Sequence, residues 1–332
     1  MSTGTAPNTE TKKSGNLLKS NALQQILAFA SLIVLILFFT ISSDNFLNWT
    51  NITGILLSTT VIGIMALGTT FVIMTGGIDL SIGTGMTLCA VMTGVFIVFW
   101  DLPIIVGILG GILTGALMGF ISGFSVSKLK IPPFIATLAM MMIAKGLALV
   151  ISDATPIYFS DKPSFSEIAL GSIIPGFNLP NGVLIFIIMA IIAGILLTKS
   201  IFGRFTTSIG SNEEATRLSG INTDKWKIII YTVAGVFTGI TGVLMASRLN
   251  SAQPALGAGY ELEAIAAVVI GGTSLSGGKG TILGTVIGAL IMSVLTNGLR
   301  IMSIPQEWQT VVVGFVILVA VYIDIIRRGK SS

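Results

Sequence analysis

The stretch GSNEEATRLSGINTDK, residues 210–225, decides how this chain is read. It carries Glu213, Glu214, Arg217, Asp224 and Lys225, yet it lies between two apolar runs, 182–198 and 228–248. Each run is about as long as a helix needs to be to cross a bilayer. A short polar segment bounded in this way is a loop between two membrane spans.

The same pattern extends along the chain. Of 332 residues, 53% are hydrophobic and 10% are charged, and the mean hydropathy is +0.95. A soluble domain carries roughly 25% charged residues, so lipid must be the main solvent here. Apolar segments at 22–41, 53–73, 82–100, 103–125, 133–152, 182–198, 228–248, 262–276, 281–300 and 307–326 predict an all-α polytopic membrane protein of about ten spans. The first run is long for a signal peptide, and no small-x-small cleavage site follows it. The eighth run is short and ends in glycines, so it is expected to cross only in part. A barrel would show short alternating segments instead.

Charge gives the expected orientation. With ten spans, Lys12, Lys13, Lys19, Lys128, Lys130, Lys199, Arg204, Arg217, Lys225, Lys227, Lys279, Arg327, Arg328 and Lys330 share one side, 14 of the 18 Lys and Arg residues. By the positive-inside rule that side is cytoplasmic, and it holds both termini. The expected plan is a polar tail at 1–21, a transmembrane domain at 22–326 and a tail at 327–332. Within the domain lie an outer loop at 153–181 and a cytoplasmic loop at 199–227. The net charge of +4 belongs to these flanks and is no nucleic-acid signal.

There is no histidine, and the one cysteine, Cys89, sits in an apolar run. No metal site, disulfide framework, cofactor site or catalytic group is therefore expected. The segment GGTSLSGGKG, residues 271–280, is a near miss for a phosphate loop. Thr273 stands where the first glycine belongs, and Gly280 where Ser or Thr should hold magnesium. A weak internal echo is also present. Gly115-Ala116-Leu117, Ile131-Pro132 and Thr137 recur 173 residues later as Gly288-Ala289-Leu290, Ile304-Pro305 and Thr310. An offset shared by spans that cross in opposite directions suggests an inverted repeat, a transporter arrangement.

Within the opening stretch, Ser211 and Glu214 form a capping box, and Glu213 can pair with Arg217 four residues on. Ala215 and Leu218 make a small apolar stripe, and Gly220 suits a left-handed terminator. The result is a helix of about two turns over 212–219. Such a helix is marginal alone, so it either rests on its own protein or docks on a partner.

Glu214-Ala215-Thr216 followed by Gly220 resembles the coupling-loop signature of ATP-binding-cassette importer permeases. "GSNEEATRLSGI" resembles its form in the monosaccharide branch, as do "TGGIDLSIG" (75–83), "SAQPALGAGYELEAIAAVVIGGTSLSGGKG" (251–280) and "GTVIGALI" (284–291). Thr216 departs from the commoner alanine. The resemblance implies a type II-like importer permease in a bacterial inner or plasma membrane, working as a homodimer. It further implies a cytoplasmic ATPase, one fused two-cassette chain or two, and an extracytoplasmic sugar-binding protein. The solute would be a monosaccharide, ribose first. Glu213, Glu214, Ala215, Arg217, Leu218 and Gly220 would then couple to the ATPase.

Other polar residues leave two readings open. Asp79 and Ser81 either cap the third span or, with Thr75 and Asn297, line the pathway. Glu261 and Glu263 either favour a helix N-terminus or join Arg248 and Arg300 in a docking rim for the binding protein. Lys145, inside the fifth span, is expected to snorkel or to pair. The rival to an ATP-driven importer is an ion-coupled secondary transporter of a small polar solute. The scarcity of intramembrane acids and the absence of histidine weigh against it.

Overall fold

A computed structural model describes residues 11–174 and 178–329. Its helices are α1 (Thr11–Ser42), α2 (Trp49–Met74), α3 (Ile82–Gly94), α4 (Ile104–Ser127), α5 (Pro133–Ile151), α6 (Glu167–Leu170) and α7 (Asn181–Lys199). There follow α8 (Ile201–Ser211), α9 (Glu213–Leu218), α10 (Thr223–Leu249), α11 (Tyr260–Ile270), α12 (Ile282–Ile301) and α13 (Gln306–Gly329). A π turn at Val95–Phe99 extends α3. Among the described residues, eight helices are long and apolar enough to span a membrane, and a shorter apolar segment lies at Gln306–Tyr322.

Local chemistry sets the ends. Asn48 accepts from the Thr50 N–H at the start of α2, and Thr281 accepts from the Gly284 N–H at the start of α12. Pro133 opens α5 at a position where no N–H is needed. In lipid every remaining polar group needs an internal partner. Most span hydroxyls meet this by bonding back one turn, as Thr59 does to Ile55 and Thr241 to Phe237, while Ser122 and Ser293 are buried without a partner.

The central helix is α2, which buries Ile64, Leu67, Phe71 and Ile73 completely. Around it stand α7, α10, α11 and α12, while α1, α4, α5 and the far side of α7 turn apolar faces outward. The tightest seam joins α4 to α10. There a Cβ on Gly115 would meet the Gly235 carbonyl and the Gly239 backbone, so only glycines permit this approach.

Two long helices break and return. After α2 the chain turns through left-handed Gly76 and runs without helix along 77–81 before α3. After α10 it turns through left-handed Asn250, pairs Ser251–Ala252 with Ile157–Tyr158 in a short antiparallel ladder, and continues to α11. At 11 residues, α11 is about 16 Å long, roughly half a bilayer core. This is the partial span expected from the glycines behind it.

Three regions differ from the reading of the sequence. Helix α1 already runs at Thr11, inside the stretch expected to be a polar tail; residues 1–10 and 330–332 lie outside the described residues. Residues 153–174 of the 153–181 loop are packed, with Phe159 and Phe165 fully buried at 4.1 Å between ring centroids. They are tied to α10 by Ser247, which accepts from the Ala169 N–H and donates to the Phe165 carbonyl. The 199–227 loop holds two helices, α8 and α9, rather than one.

Candidate coupling site

Helix α8 is the platform. Ser200 caps it, accepting from the Gly203 N–H. Phe202 meets Phe71 of α2 edge-on at 5.0 Å, and Phe205 meets Trp226 of α10 at 4.8 Å. Near its end, a Cβ on Gly210 would strike the Met74 carbonyl and the Gly278 nitrogen. Gly278 donates its N–H to Met74 at 2.8 Å. The end of α2, the turn before α12 and the base of the polar stretch are thus knitted together through backbone.

Helix α9 stands on this platform. Its cap is Asn212, whose Oδ1 accepts from the Ala215 N–H at 2.9 Å. Ser211, expected to be the cap, is instead the last residue of α8. The expected Glu213–Arg217 pair is replaced by a tie to α10, Glu213 to Lys227 Nζ at 2.6 Å. Gly220 does adopt the left-handed conformation, at φ +86°. Its N–H bonds to the Arg217 carbonyl and the Ile221 N–H to Thr216, a Schellman closure.

Thr216 is the one buried side chain of α9, and its hydroxyl donates to the Asn212 carbonyl. The position where the coupling signature departs is therefore the anchor, which explains why it must be small. Glu214, Ala215, Arg217, Leu218 and Gly220 are exposed, Leu218 to 81%. The apolar stripe faces away from the protein. At the same end, Asp224 pairs with Lys130 at 2.7 Å and Lys128 at 3.5 Å.

The other predicted residues separate. Asp79, 3% exposed, accepts from the Ser81 N–H at 2.8 Å and the Ser81 hydroxyl at 2.6 Å. Thr75 ends α2 and donates to Val72. Asn297 donates to Asn51, in the first turn of α2, so about 36 Å of helix separates it from Thr75. These four do not share one wall. Arg248, Glu263 and Arg300 do converge: Arg248 and Arg300 each act on Tyr260, and Arg300 on Glu263. Arg248 also reaches Ser58 at 3.3 Å. Glu261 turns inward, both carboxylate oxygens 3.1 Å from the Gly259 N–H.

Three features escaped the sequence reading. The i, i+4, i+7 spacing of Phe202, Thr206 and Ile209, all buried, marks α8, and Asn212 before two glutamates marks the cap. Lys227 carries no local signal as the partner of Glu213. Lys145 is exposed on α5 and adjoins Thr84, Thr87, Pro254 and Gly257 around a small opening.

Known proteins share this architecture's sequence. The ribose import permease protein RbsC of Bacillus subtilis (strain 168) is 42% identical over 311 residues, covering 93% of this chain and 94% of that protein. The xylose transport system permease protein XylH of Haemophilus influenzae is 33% identical, covering 94% and 99%. The L-arabinose transport system permease protein AraH of Escherichia coli (strain K12) is 39% identical over 84% of each chain. The family described as branched-chain amino acid transport system / permease component matches residues 51–321, and the chain belongs to it.

Proposed function

We propose that this chain is the membrane-spanning subunit of an ATP-binding-cassette importer that moves a monosaccharide, ribose first, across a bacterial inner or plasma membrane. The observation that carries the reading is α9: a helix capped at both ends, standing on α8, whose Gly210 packs on the end of α2 and the turn before α12, with Leu218 81% exposed. One exposed leucine is ordinary on a protein surface; here it stands with exposed Ala215 on a helix closed at both ends within a polar loop, which offers a partner a small apolar contact. A cytoplasmic ATPase gripping Glu214, Ala215, Arg217 and Leu218 would push on the break after α2 and the turn before α12 together. ATP would be hydrolysed in that partner, not in this chain.

The permease works as a homodimer. Lys145 is exposed on α5, six residues from its end, about 9 Å. Facing lipid near mid-membrane, such a charge would cost about 2.5–3.5 kcal/mol. A second copy enclosing a wet path along α5, Thr84 and Thr87 relieves that cost. Thr75, Asp79 and Ser81 support the inner side of the path, and Asn297 its outer mouth. Arg248, Glu263 and Arg300 receive the sugar-binding protein.

The test is reconstitution. Proteoliposomes holding this chain, a ribose-type ATPase and a ribose-binding protein are expected to accumulate labelled ribose only with ATP and the binding protein. Ribose counterflow by this chain alone, without any ATPase, would overturn the reading in favour of a secondary transporter.

A further inference from the structure

Between α7 and the start of α12 lies an open cavity of about 850 Å³. Most of its wall is apolar: Phe186, Ile187, Ile191 and Ile195 from α7, Leu283 and Val286 from α12. Both helices are long enough to span, so this trough faces acyl chains. One end differs. There Lys199, the last residue of α7, and Lys279, on the turn before α12, line the cavity beside the hydroxyl groups of Thr207 and Thr281. No carboxylate lines it. Among the described residues neither lysine forms an ion pair.

A lysine at a helix C-terminus is stabilised by the helix dipole, which accounts for Lys199 alone. The positive-inside bias covers both lysines, but neither effect accounts for the apolar trough running from the two charges. Two cations at the mouth of an apolar groove between spans match the chemistry of an anionic phospholipid. We propose that this groove binds one, with an acyl chain along α7 and the phosphate between Lys199 and Lys279.

The position gives the site a role. The headgroup would rest on the 274–281 turn, whose Gly278 is bonded to Met74 and packed on Gly210. A lipid there would brace the platform under α9. The site stands whether or not ribose is the solute.

Native mass spectrometry of the purified full chain tests it, with phosphatidylglycerol and phosphatidylcholine of identical chains as probes. The expected result is about tenfold preferential retention of phosphatidylglycerol, roughly 1.4 kcal/mol. A Lys199→Gln/Lys279→Gln variant is expected to lose that preference, and Ile191→Trp to reduce retention of both lipids with the lysines in place. Equal retention of the two lipids by the unaltered chain would overturn the proposal, even should the variants fail to fold. So would equal competition by glycerol 1-phosphate, which would mark a soluble-anion site. A change of oligomeric state in Ile191→Trp would overturn it too, marking the groove as a seam between copies.

Discussion

The break after α2 and the break after α10 solve one problem with different residues. In each, a helix of 26 or 27 residues ends, a left-handed residue turns the chain, and a non-helical leg returns to start another helix. At each break a buried acid satisfies backbone. Asp79 reaches forward from its leg to the Ser81 N–H; Glu261 reaches back from α11 to the Gly259 N–H. The two breaks also meet, since a Cβ on Gly83, at the start of α3 just past the first leg, would strike Glu261 and the Gly257 carbonyl, and one on Gly257 the Gly83 carbonyl. The lesson is that the same path, helix to left-handed turn to non-helical leg to helix, is reached with different side chains at the two breaks.

The hardest blow to this correspondence is Gly83→Val or Gly257→Val. Either forces carbons into backbone at the meeting of the two breaks, where overpacking costs ~1–3 kcal/mol or more. Size-exclusion chromatography is expected to show loss of monodisperse protein, and normal behaviour of both variants would mean that the breaks do not touch. Next come the acids. Glu261→Ala and Asp79→Ala each strand a buried N–H, a loss of ~1–3 kcal/mol, read as lower melting temperature in detergent. Asp79→Asn keeps an acceptor and is expected to lose less than Asp79→Ala; equal losses would show that charge, not the hydrogen bond, matters there.

A smaller effect separates the two seams. The α4–α10 seam is glycine on glycine, whereas α2 and α12 share the Thr70–Thr285 hydroxyl pair at 2.7 Å. Thr285→Val is expected to cost ~0.6–1.7 kcal/mol, again read by melting, and no change would make the second seam a matter of shape alone. The least effect is expected at Asp101, between α3 and α4. Its hydrogen bond to Lys162, and then the charge of that lysine, hold the carboxyl below its ordinary value. Any stabilisation is therefore full above the unfolded value, about 3.9, and lost as pH falls through the folded one. Asp101 is 82% exposed, so Asp101→Asn should melt like the unaltered protein at neutral pH.

Hydropathy made the membrane spans legible, because a run of apolar residues has one stable environment at that length. Gly220 was legible because a helix end needs a left-handed residue there. What escaped depends on distance in space. Lys227 pairs with Glu213 across 13 intervening residues, and only the fold brings them together. Residues 76–83, GGIDLSIG, and 271–278, GGTSLSGG, also look alike in sequence. The first is a leg and the second a turn, and they are neighbours, joined by the Gly278 bond to Met74. The packed state of 153–174 was hidden for the same reason, since its anchor, Ser247, lies on α10.

The most direct test concerns α9. Leu218→Asp changes a side chain that is 81% exposed and touches no core cluster. In proteoliposomes with ATPase and binding protein, ATP-driven ribose accumulation is expected to fall by at least about tenfold, the loss of roughly 1.4 kcal/mol of docking. The permease should melt as before and no longer co-purify with the ATPase. Uptake and co-purification at the unaltered level would contradict the account.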